Sequence, residues 1–125
     1  MKEIITTDKA PAAIGPNSQA VKTKSQETLF CSGQIPIKPV TGEIVPGDIA
    51  AQTRQVMDNL NQAIVAAGFT FRNIVKTTIY LNDLAVFSQV NEVYASFFDG
   101  DFPAWATVEV VALGAMVEIE AYAVR

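Results

Sequence analysis

The strongest periodic signal in the chain lies between Asp48 and Gly68. Ile49, Thr53, Val56, Leu60, Ile64 and Ala67 recur at steps of three or four, the period of a helix with one face in a core. Asp48 stands where a side-chain oxygen can cap the first turn. Gly68 stands where a helix end wants a left-handed residue, and the apolar Phe69 follows it. A second stripe, Phe87, Val90, Tyr94 and Phe97, predicts a helix over about residues 85–98, with Asn91 set among the apolar positions.

Elsewhere the period is two. Over residues 73–81, Val75, Thr77, Ile79 and Leu81 share one face, and Ile74, Lys76, Thr78 and Tyr80 the other. Shorter β-prone runs cover 2–7, 20–24 and 28–34, and the last two read as a hairpin across Ser25-Gln26-Glu27. Prolines and glycines interrupt the pattern at 10–17 and again from Pro36 to Gly47, which predicts loops. Asp99-Gly100-Asp101 makes a turn before Pro103. The chain closes with runs 105–113 and 116–124, tightly connected by Gly114-Ala115. On these runs Val108, Val110 and Ala112 are expected on one side with Val117, Ile119, Ala121 and Ala123. Trp105, Thr107 and Glu109 are expected on the other with Glu118, Glu120 and Tyr122.

The order β-β-β-α-β-α-β-β predicts an α+β fold in which two helices cover one face of a sheet. The second face mixes large apolar groups with carboxylates. It is too apolar for open water and too charged for a dry core, so it predicts a subunit interface that holds clefts.

Composition narrows the chemistry. A chain of 125 residues makes a single domain, 1–125, and its 50% hydrophobic and 18% charged residues exclude a disordered chain. No run approaches the roughly 18 apolar residues of a membrane span, and the start is too polar for a signal peptide. A cytoplasmic location without a membrane partner is expected. Nine basic residues against 13 acidic give a charge of −4, and the basic ones are scattered, so no nucleic-acid partner is expected. Cys31 is the only cysteine and there is no histidine. Internal disulfides, Ser-His-Asp and Cys-His catalysis and histidine metal sites are thereby excluded. Catalysis falls to carboxylates, hydroxyls, backbone groups or bound water.

Gly42 to Gly47 has the glycine spacing of a phosphate loop, but Asp48-Ile49 follows where Lys-Ser/Thr is required, so it reads as a structural loop. Cys31, beside Leu29 and Phe30, reads as a buried, inert thiol. Glu118 and Glu120 alternate on one strand face with Glu109 as a possible neighbour. They suit either a desolvated cleft that holds a water or a solvated edge. Asn91 fits a functional or a structural hydrogen-bonding role equally well. In Ser32-Gly33-Gln34 the glycine permits a ligand close approach to backbone N–H groups.

Ser32, Gly33, Gln34, Asn91, Glu118 and Glu120 fall within nine stretches that occur in the same order in a known family. They are Ala10 to Pro16, Ser32 to Pro36, Thr41-Gly42-Glu43, Gly47-Asp48-Ile49, Ala66-Ala67-Gly68, Val75 to Thr78, Val90 to Tyr94, Phe102-Pro103-Ala104 and Val117 to Ala121. Together they resemble the Rid family, also called YjgF or L-PSP. The resemblance implies a chorismate-mutase-like α+β fold and a homotrimer with small-molecule clefts between subunits. It also implies hydrolysis of reactive enamines and imines to carbonyl compounds and ammonia, with no metal or organic cofactor. It assigns Glu118 to the attacking water and places Ser32 and Asn91 in the pocket, with backbone groups near Gly33 and Thr107 assisting substrate binding. Two positions depart from the family pattern. Trp105 stands where an arginine grips the substrate carboxylate, and Asn17 stands where a tyrosine closes the pocket. The segment before Val117 is also about two residues shorter than usual. An indole has one N–H and no charge, so it cannot replace a guanidinium fork. The resemblance therefore implies either an imine hydrolase with altered specificity, its substrate uncharged or aromatic and stacked on Trp105, or a non-catalytic trimer that binds small ligands or proteins.

Overall fold

Asp48 opens the long helix as its position predicts. In the computed structural model, which describes residues 2–110 and 114–125, its carboxylate accepts from the Ala51 N–H at 3.0 Å, and α1 runs Ile49–Ala66. At the far end Gly68 takes φ +81. The Gly68 N–H reaches the Val65 carbonyl at 2.9 Å, and the left-handed turn brings the next N–H, that of Phe69, to the Ile64 carbonyl at 3.0 Å. The stripe Ile49, Thr53, Val56, Leu60 and Ile64 is buried, joined by Met57 and Gln52. Ala67 is exposed, because the helix ends before the stripe reaches it.

Strands β1 (Lys2–Ile5) and β2 (Ala20–Thr23) pair antiparallel as a small separate sheet. The main sheet has four strands in the spatial order β3 (Thr28–Gln34), β6 (Val117–Val124), β4 (Ile74–Leu81) and β5 (Ala104–Glu109). It is mixed: β6 runs antiparallel to β3 and β4, and β5 runs parallel to β4. Helices α1 and α2 (Phe87–Ala95) pack on one face of it. A single 3₁₀ turn over Leu84–Val86, capped by Asp83, precedes α2, so the helix starts at Phe87 rather than 85; it ends at Ala95, before the stripe's last member, Phe97. Among the described residues no helix is long and apolar enough to cross a membrane.

The α+β class and the element order are as expected, and the pairing differs in three places. Residues 20–24 and 28–34 do not form a hairpin, since β2 turns back onto β1 and β3 pairs with β6. The last two strands do not pair either, because β4 lies between them. The predicted extension of β5 through 111–113, including Ala112, falls outside the described residues. The third difference is a bulge in β4. Ile74 stands opposite Ala123 and Lys76 opposite Tyr122, so Val75 is the extra residue. Ile74 thereby joins Thr77, Ile79 and Leu81 on the buried face, in place of Val75.

The parallel pairing of β5 also overturns the expected faces. Trp105 is level with Thr77, Thr107 with Ile79 and Glu109 with Leu81, so these three lie on the helix-covered side. Val108 is level with Tyr80, on the side that carries Glu118, Glu120 and Tyr122. A hairpin between the last strands would have made these faces the reverse. The Glu109 carboxylate accepts from the Leu84 N–H at 2.9 Å, well apart in role from the other two glutamates.

Candidate functional site

The residues singled out in the sequence fall into two groups at opposite edges of the main sheet. The first gathers at the β3 edge, on the face that no helix covers. The ladder between β3 and β6 slips between Cys31 and Gln34, so Ser32 and Gly33 form an irregularity there. The Glu118 side chain fills the space above Gly33. A Cβ at Gly33 would collide with Glu118 Oε2 and lie 2.9 Å from its Cδ. The glycine thus admits the protein's own carboxylate. Ser32 is exposed beside it, and the Gln34 amide reaches the Ser32 carbonyl at 3.4 Å.

Tyr80 belongs to this group and was missed in the sequence. It lies level with Glu118, and Glu120 stands one pair further along the same face. Burial, then the negative charge of Glu120 and Glu118, holds the Tyr80 phenol above its usual range. Its position in β4 gave no sign of this, because the neighbour follows from the β4–β6 register. Lys76 and Thr78 share the face, as do the exposed rings of Phe30 and Tyr122, packed edge to face at 5.3 Å.

The second group surrounds Trp105 at the β5 edge, on the helix-covered side. The indole packs 5.5 Å from the Phe87 ring and 5.5 Å from that of Tyr94, both on α2. Tyr94 is fully buried and shares a 2.9 Å hydrogen bond with Thr77; its burial keeps the phenol protonated far above the ordinary range. Gly15 seats against the outer edge of the indole: its Cβ would lie 3.3 Å from Trp105 Cζ2 and 3.4 Å from Asn91 Nδ2. Among the described residues, Asn91 Oδ1 and Thr107 Oγ1 are buried without a hydrogen-bond partner. Thr53 Oγ1 on α1 is in the same condition, so an orphaned acceptor is not peculiar to this corner.

The loop before β2 closes over this group. Ser18 donates through its hydroxyl to the Phe102 carbonyl and through its N–H to that of Pro103 at 3.1 Å. Between loop and indole lies a cavity of about 390 Å³, lined by residues 10–14 and 17–19 and by Trp105, none of them charged. Asn17 lines it, but its amide is turned back onto the Ile14 carbonyl at 2.7 Å. Phe87, Tyr94 and Gly15 are the neighbours that sequence reasoning did not attach to Trp105. The first two stand on the α2 stripe, which marked them as core.

One chain therefore brings Ser32, Gly33 and Glu118 together, and separately Asn17, Asn91, Trp105 and Thr107. It does not bring the two groups to one another, and Trp105 does not share a sheet face with Glu118.

Comparison with known proteins places this arrangement. Residues 7–125 match the family described as Endoribonuclease L-PSP. The 2-iminobutanoate/2-iminopropanoate deaminase of Mus musculus is 46% identical over 127 aligned positions, covering 100% of this chain and 91% of that protein. A structure from Yersinia pestis, described as a protein of unknown function of the conserved Rid family, superposes with a TM-score of 0.76 at 48% identity and covers 100% of both chains. The structure of Escherichia coli TdcF with bound serine superposes with a TM-score of 0.74 at 43% identity over 98% of each chain.

Proposed function

We propose, from the premise that the chain belongs to the endoribonuclease L-PSP or Rid family, that it hydrolyses imines and their enamine tautomers whose substituents are apolar or aromatic. The observation that carries this reading is the uncharged cavity against Trp105. The mouse relative is named for two imino acids, each bearing a carboxylate. Here a carboxylate would meet an indole and an uncharged lining, and would forgo the charge-assisted contacts that normally hold such a group. A flat apolar substituent gains by stacking on the same surface.

The reaction adds water across C=N. Glu118 accepts a proton from a water as its oxygen attacks the imine carbon, giving a carbinolamine. Glu118 returns that proton to the nitrogen, then takes the hydroxyl proton and passes it to the nitrogen in turn, so the C–N bond breaks, ammonia leaves and the hydroxyl becomes the carbonyl. The sum is one imine and one water to one carbonyl compound and one ammonia, so Glu118 ends as it began. Ser32 and the Gly33 backbone flank this carboxylate, Trp105 and Asn17 line the cavity that takes the substituent, and Asn91 and Thr107 stand behind that wall.

For one site to contain both groups, the β5 edge of one chain must meet the β3 edge of another. A contact between two different edges is heterologous, and three such contacts close into a ring. This supports a homotrimer with the substrate in clefts between subunits. The apolar and acidic face that the helices leave bare supports it as well.

The test is ammonia release from imines generated in situ. An amine oxidase acting on benzylamine supplies an uncharged aromatic imine, and an amino-acid oxidase acting on alanine supplies 2-iminopropanoate. We expect acceleration of the first, little of the second, loss of both in Glu118→Gln, and a reversed preference in Trp105→Arg. Faster turnover of 2-iminopropanoate by the unmodified protein would overturn the proposed specificity. Saturable binding of the aromatic imine without turnover would instead favour the ligand-binding alternative.

A further inference from the structure

A second cavity, about 530 Å³, opens between the turn at 70–73 and the turn at 97–101, beside the start of β1. It shares no lining residue with the cavity at Trp105 and does not include Glu118. Its floor is aromatic. Phe71 stacks on Phe98 at 5.3 Å and lies 5.8 Å from Phe97, and all three rings remain partly exposed where they line the cavity. The size is within the roughly 300–1,000 Å³ of small-molecule sites.

Two opposite charges, Lys2 and Asp101, line the same cavity. The Lys2 ammonium is held in place by the Ile74 carbonyl at 3.0 Å and the Arg72 carbonyl at 3.4 Å. With three N–H donors it keeps one to offer. Burial draws its pKa down, and attraction to Asp101 opposes that. Lys2 and Asp101 attract one another without forming a direct ion pair. Asp101 itself has φ +47, the only described non-glycine residue with positive φ, and follows Gly100 at +110. The turn thus holds this carboxylate on unusual backbone. Arg72 and Asp99, also on the lining, pair with each other at 3.0 Å and are largely exposed. That pair neutralises itself and leaves Lys2 and Asp101 to act on a ligand.

We propose that this cavity binds a small aromatic zwitterion, an aromatic α-amino acid by chemical class. The ring lies on Phe71, Phe97 and Phe98, the carboxylate accepts from Lys2, and the ammonium donates to Asp101. A cation, an anion and an aromatic floor lining one cavity match a molecule that carries a carboxylate, an ammonium and a ring. Neither a simple anion nor a simple hydrocarbon uses all three features.

The test is calorimetric titration of the full chain with L-phenylalanine, and with L-serine, 2-phenylethylamine and 3-phenylpropanoate as probes that each lack one feature. L-Phenylalanine should saturate at one molecule per chain, and each other probe should bind roughly tenfold more weakly or worse, the cost of one charge-assisted contact or of the ring. Asp101→Asn keeps a residue that tolerates left-handed backbone. It should weaken L-phenylalanine and leave 3-phenylpropanoate unchanged. Lys2→Gln should weaken L-phenylalanine and leave 2-phenylethylamine unchanged. Glu118→Gln, at the other site, should leave all four titrations as they were, and Asp101→Asn should leave imine hydrolysis as it was. No saturation below about 10 mM would overturn the proposal, since such affinity amounts to no more than a weak contact. Equal affinity for L-serine, or binding that follows Glu118→Gln rather than Asp101→Asn, would overturn it equally.

Discussion

Gly33 shows how one hydrogen atom in place of a side chain can decide a site. The space a Cβ would need is occupied by the end of Glu118, the far tip of a flexible side chain rather than a fixed wall. Gly33→Ala should therefore fold, with Glu118 swinging aside. We expect a stability change within about 1 kcal/mol, the range of substitutions that leave core and backbone conformation alone. Activity should fall much further, by roughly tenfold or more, because displacement of a catalytic group by an ångström is enough for such losses. Thermal melting and ammonia release on the same preparation check the split. A large loss of stability with unchanged specific activity would show that Gly33 serves packing. The sequence marked Gly33 as a place of close approach; only the β3–β6 register shows that Glu118 is what approaches.

At the scale of elements, signals carried within one segment were legible and signals carried between segments were not. The limits of α1 could be read because Asp48, Gly68 and Phe69 act on backbone groups a few residues away. Strand pairing depends on partners distant in sequence. Gly114-Ala115 therefore resembled a hairpin turn although β4 separates the strands it would join, and the error moved Trp105 to the wrong face. The bulge at Val75 was invisible for the same reason: alternation within β4 cannot report an extra residue against β6. Of the candidate site, the residue identities were readable, and their division between two sheet edges was not. The end of α1 gives a measurable consequence. Gly68→Ala must hold a Cβ at φ +81 and 3.2 Å from Arg125 Nη1, whose guanidinium donates to the Gly68 carbonyl at 2.7 Å and lies over the Phe69 ring at 4.8 Å. The left-handed backbone alone costs roughly 1–2 kcal/mol for a residue with a Cβ. A melting temperature lower by several degrees is expected, with activity per folded molecule unchanged, since this corner touches neither half of the site. An unchanged melting temperature would mean that the helix end relaxes without cost.

For the whole molecule, the separation of the two groups makes assembly part of the proposed chemistry. Glu118→Gln removes the water-positioning carboxylate at one edge, and Trp105→Ala removes the stacking surface at the other. Each variant alone should lose most turnover of the aromatic imine, because every cleft it builds carries the same defect. The two mixed, unfolded and refolded together should regain activity. In a head-to-tail ring each cleft draws Glu118 from one chain and Trp105 from its neighbour, so a random mixture has intact pairs at about one cleft in four. Recovery near a quarter of the unmodified activity is therefore expected from two preparations that are each nearly inactive. Light scattering on the unmodified protein should give about three times the 13.5 kDa of the chain. A mass of one chain, or a refolded mixture no more active than its parents, would place both groups in the service of a single chain. Since Glu118 and Trp105 point to opposite faces of one sheet, they would then have no common substrate.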